Sequence, residues 1–133
     1  MKRLGLALIL ALLGIASAQA QAVIPYTQAS VPVVISTATT TRLITGISGL
    51  RIYVTAVDII AGGTGDIQFI AGTGATCGTS SVNVTGDYNL TAQVGFTKGT
   101  GVGALWVLPL GDSLCAITGQ AVGMPGSISY AQW

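Results

Sequence analysis

Short apolar runs broken by Gly- and Thr-rich segments make up most of this chain. Beyond residue 20, no window keeps apolar residues at helical spacing for ten residues without a Gly or Pro. β-Branched and aromatic runs predict strands at Val31–Thr37, Arg42–Thr45, Arg51–Ile60, Asp66–Ala71, Ser81–Val84, Tyr88–Val94, Leu105–Leu108, Ser113–Thr118 and Ser127–Gln132. In Arg51–Ile60, Ile52, Val54 and Ala56 share one face and Arg51, Tyr53 and Thr55 the other, the period of a half-buried strand. Asp58 interrupts the apolar face and is expected near that strand's end. In the next run Ile67, Phe69 and Ala71 oppose Asp66, Gln68 and Ile70, and Gly62-Gly63-Thr64-Gly65 predicts a hairpin between the two. Segments 72–81 and 95–104 read as loops. About eight short antiparallel strands at this spacing predict an all-β chain folded as a single jelly-roll-like β-sandwich.

The beginning of the chain has a different pattern. Lys2 and Arg3 precede an apolar run from Leu4 to Ile15, and Ala18-Gln19-Ala20 places small residues where a signal peptidase reads. Residues 1–20 are therefore expected to be a cleaved bacterial-type signal peptide, with Ala16-Ser17-Ala18 as an alternative site. The apolar run falls short of the roughly 20 residues a spanning helix needs, so stable membrane insertion is not expected. Residues 21–133 then form one domain, with residues 21–30 expected as a flexible arm, and the protein is expected to be secreted or at the cell surface.

Composition narrows the chemistry. Residues 21–133 contain no His and no Glu, and their charges are Arg42, Arg51, Lys98, Asp58, Asp66, Asp87 and Asp112. Proton transfer and nucleophile activation rely on such side chains, so a non-enzymatic role with no cofactor is expected. Lys98, between Thr97 and Gly99, reads as a solvated charge rather than the base of a Ser-Lys pair. Near neutrality and the lack of a basic stripe argue against nucleic acid. No Asp-x-Asp spacing supports calcium, and two Cys without His cannot complete a zinc shell, so no metal is expected.

Cys77 and Cys115 are the only cysteines. An even pair in an exported chain predicts a disulfide, the alternative being two buried free thiols. Asn83-Val84-Thr85 and Asn89-Leu90-Thr91 are glycosylation sequons that matter only in a host that uses them. Trp106, Trp133, Tyr26, Tyr53, Tyr88 and Tyr130 form either a sugar-stacking platform or packing and subunit contacts, and Trp106, Tyr88 and Trp133 are the candidate ligand or partner contacts.

The chain also resembles a family of small all-β, virion-associated or uncharacterised proteins of tailed bacteriophages and related bacterial loci. The residues that carry the resemblance are Arg51-Ile52-Tyr53-Val54, Phe69, Gly72-Thr73-Gly74-Ala75-Thr76-Cys77-Gly78-Thr79 and Tyr88-Asn89-Leu90-Thr91-Ala92. Gly101-Val102-Gly103, Pro109-Leu110-Gly111-Asp112-Ser113-Leu114-Cys115 and Ser129-Tyr130-Ala131-Gln132-Trp133 complete it. The resemblance implies a jelly-roll-like sandwich, a Cys77–Cys115 bridge and a structural or adhesive role. The leading expectation is an exported structural subunit that self-assembles as a homo-oligomer on a virion or bacterial surface. A carbohydrate-binding or adhesive module is the first alternative, and a small outer-membrane β-barrel the second.

Overall fold

The chain folds as an antiparallel ribbon that doubles back on itself. In the computed structural model, which describes residues 28–101 and 103–133, ten strands form two antiparallel sheets. They are β1 (Ala29–Ile35), β2 (Thr40–Ile44), β3 (Ile52–Ile60), β4 (Gly65–Thr73) and β5 (Thr79–Asn83), then β6 (Tyr88–Leu90), β7 (Gly95–Gly99), β8 (Trp106–Val107), β9 (Ser113–Ile117) and β10 (Met124–Gln132). One sheet runs β1-β10-β3-β7, with β8 also on β3; the other runs β2-β9-β4-β5, with β6 also on β4.

Because β7 and β8 pair with successive parts of β3, and β5 and β6 with successive parts of β4, the ten strands make eight rows. Rows pair first with last: β1 with β10, β2 with β9, β3 with β7 and β8, β4 with β5 and β6. Alternate pairs lie in opposite sheets, which is the jelly-roll arrangement predicted from the strand spacing. The sheets do not close into a barrel, so the outer-membrane barrel alternative is set aside.

Between the sheets lies a core built on Phe69, Ile52, Ile59, Ile67, Leu108, Leu114, Met124 and Ile128, all fully buried. The alternation that directs these residues inward slips once. Ala56 faces Ser129 and Val54 faces Tyr130, so Thr55 is an extra residue on β3, a β-bulge. Beyond it the inward set becomes Val57 and Ile59, and Asp58 turns outward in mid-strand. Asp58 therefore does not mark the end of the strand; it is exposed and accepts a hydrogen bond from the Thr97 hydroxyl at 2.8 Å. The bulge is polar but satisfied: Thr55 Oγ1 accepts from Gln28 Nε2 at 2.6 Å and donates to the Ser129 carbonyl at 3.1 Å.

Three other expectations are corrected. Residues 61–64 do not form a hairpin, because β3 and β4 lie in different sheets and the segment crosses between them. Within the expected 95–104 loop, Gly95–Gly99 pairs with β3 as β7; only Phe96 gives it an apolar anchor, too little for the sequence pattern to register. Of the arm expected at 21–30, Ala29 and Ser30 are instead strand residues, paired with Tyr130 and Ser129. Residues 21–27 and the expected signal peptide lie outside the described residues.

A smaller apolar cluster sits on the outer face of the second sheet. Cys77 and Cys115 are joined by a disulfide, with Cα atoms 6.2 Å apart, and pack with Ile70 and Ile117. The bridge folds the 74–78 turn back over β4. Gly72 lies beneath that turn, where a Cβ would collide with the Cys77 carbonyl. Ile70, which the sequence places among polar neighbours, is covered by this turn.

Candidate functional site: an apolar belt along the sandwich edge

The three aromatic residues singled out from the sequence occupy different settings. Trp106 is on β8 opposite Val54, so its side chain leans toward the core, where its ring lies 4.9 Å from Phe69. Tyr88 on β6 packs on Phe96 of β7, ring centres 4.5 Å apart. Since β6 and β7 belong to different sheets, this pair spans the sandwich edge. Lys98 completes it: Nζ donates to the Tyr88 hydroxyl at 3.3 Å and sits 5.0 Å from the Tyr88 ring centre and 5.4 Å from that of Phe96. A cation held over ring faces adds about 0.5–1 kcal/mol at an exposed site. Lys98 is thus an exposed, solvated charge that also links Tyr88 and Phe96 across the sandwich edge.

Trp133 continues the β3–β10 ladder through reciprocal backbone bonds with Arg51, at 2.8 and 3.2 Å. That register puts its side chain diagonal to Tyr53 on the outer face of the first sheet. The two rings stack 4.0 Å apart and nearly parallel, at 9°. Trp106 and Tyr88 are half-buried in packing contacts, and Trp133 stacks on Tyr53.

Apolar surface nevertheless joins Trp133 to Trp106. Val107, half exposed, is the direct ladder partner of Tyr53. It also lines a groove of about 300 Å³ at the sandwich edge, together with Trp106, Pro109, Val82 and Val84. Asn83 is the groove's polar side chain. The belt therefore runs from the Tyr53–Trp133 stack, across Val107, into a groove lying between β5 and β8. Both bordering strands are short edge strands, and every residue of β5 is exposed. Polar edge groups beside an apolar groove can receive another strand.

Sequence reasoning identified Trp106, Trp133 and Tyr53 but missed Val107 and Val82 as their companions, because the belt depends on cross-strand register. It also missed Phe96 and Lys98, which lie in the segment read as a loop. Among the described residues, no group of three His, Cys, Asp or Glu side chains gathers to hold a metal.

The fold and this surface define an all-β jelly-roll sandwich with an apolar edge. Comparison with protein-family models, curated proteins and solved structures finds no match for this chain.

Proposed function

We propose that the protein is a non-enzymatic, exported structural subunit that assembles with copies of itself, on a virion or on a bacterial surface. The observation that carries this reading is the belt from Tyr53 and Trp133 through Val107 to the Val82–Trp106 groove. Exposed Val34, Ile47, Ile60 and Leu110 add further uncovered apolar area. With so few charges in the chain, subunit contact is an economical way to remove such area from water. The absence of His and Glu supports a role in contact rather than catalysis.

Mass measured by light scattering at micromolar concentration tests the proposal. A defined oligomer is expected, and Val107→Lys or Val82→Lys should shift it toward monomer while leaving the strand content unchanged. A wild-type chain that stays monomeric refutes it.

A further inference from the structure

At a second groove, of about 290 Å³, polar groups converge without saturating one another. Asp66 on β4 faces Asn89 on β6 directly in the antiparallel ladder, so carboxylate and amide stand side by side on one face. Gln120 crosses from the turn after β9, where its Oε1 accepts a hydrogen bond from the Asp66 amide at 2.9 Å. That bond fixes the Gln120 side chain, and its Nε2 donor has no hydrogen-bond acceptor among the described residues. The Asp66 carboxylate and the Asn89 side-chain amide have no hydrogen-bond partner among the described residues. Thr64 and Thr91 add hydroxyls at the rim. Gly119 lies beside the carboxylate, so near that a Cβ there would lie 2.9 Å from Asp66 Oδ1.

The chemistry of this set limits what fits. A carboxylate at the centre repels phosphate and other anions. A calcium ion needs six to eight oxygens, whereas one carboxylate flanked by amide donors offers too few. Paired acceptors beside amide donors and hydroxyls instead match a neutral molecule with adjacent hydroxyl groups, each able to donate and accept. We infer that the groove formed by Asp66, Asn89 and Gln120 binds a neutral saccharide through a pair of neighbouring ring hydroxyls, with Asp66 accepting from both. Among the described residues no aromatic ring lines the groove, so binding rests on hydrogen bonds and is weak, in the millimolar range. This site is separate from the apolar belt and does not depend on assembly.

The test titrates the isotope-labelled full chain, exported to an oxidising compartment, with D-glucose, D-mannose, D-galactose and N-acetyl-D-glucosamine. Amide signals of Asp66, Asn89 and Gln120 should shift saturably with at least one sugar. Asp66→Asn and Asn89→Ala should each weaken binding about tenfold, the scale of one lost hydrogen bond. Asn89 is exposed, so its variant decides the matter if Asp66→Asn does not fold. No saturable shift with any of the four sugars overturns the inference. So do shifts that map to Tyr53 and Trp133, or variants that titrate like the parent. The mass measurement is unaffected by either result.

Discussion

Replacing both Cys77 and Cys115 with Ala removes a covalent closure between residues 38 apart in sequence. On the chain-entropy model, a loop of that size restrains the unfolded chain by about 4 kcal/mol. Both cysteines are fully buried against Ile70, so each truncation also loses roughly 1 kcal/mol of apolar contact. The expected loss, about 4–6 kcal/mol, is a large share of the roughly 5–15 kcal/mol that stabilises a typical domain. Calorimetry should therefore show the double variant melting about 16–30 °C below the bridged protein, at roughly 4–5 °C per kcal/mol for a domain slightly above 100 residues. Urea titration should place its midpoint correspondingly lower. Hydrogen exchange adds a local readout: amides around Gly72 and Thr79 should lose protection ahead of those in β3 and β10. A loss below about 1 kcal/mol would sink the reasoning, since it would mean the unfolded chain gains no freedom when the bridge is gone.

Other substitutions probe other parts of the fold. Phe69→Ala should cost about 3–5 kcal/mol in urea titrations, because the ring is fully buried and touches those of Trp106 and Phe96. Thr55→Val should cost about 1–2 kcal/mol by the same measurement, leaving the Ser129 carbonyl without the hydroxyl and Gln28 Nε2 without its acceptor. Lys98→Met should cost no more than about 1 kcal/mol in thermal unfolding, since the exposed cation adds little beyond the stem that covers the rings. Trp133→Ala should weaken self-association in dilution series monitored by light scattering, while the bridge and strands persist.

Alternation and turn chemistry made most of the strands legible in the sequence. Arg51–Ile60 and Asp66–Ala71 carried a clear period of two, and each became a central strand of its sheet. What alternation could not reveal was the extra residue at Thr55. A bulge exchanges inward and outward positions without changing composition, so Asp58 looked like a strand end when it was a mid-strand outward residue. Strand β7 escaped notice because one Phe among Gly, Thr and Lys is too weak a pattern. The apparent hairpin at 62–65 failed for a different reason: glycines permit a tight reversal and a crossing between sheets equally well. Of the candidate contacts, residue type drew attention to Trp106, Tyr88 and Trp133. Whether each ring faces solvent or a neighbour was decided by strands far away in sequence, as with Tyr88 on Phe96 and Trp133 on Tyr53.

The disulfide also determines how the domain responds to tension. β1 and β10 lie side by side and antiparallel, so a pull between Ala29 and Gln132 acts at one end of the sandwich and opens their ladder bond by bond. Without a bridge, each row would then peel in turn until the whole chain was drawn out. With Cys77 tied to Cys115, everything from β5 to the start of β9 stays looped, withholding about 130 Å of contour at roughly 3.4 Å per residue. A domain built this way lengthens only partway under load and keeps the strands within the loop tethered for recoil.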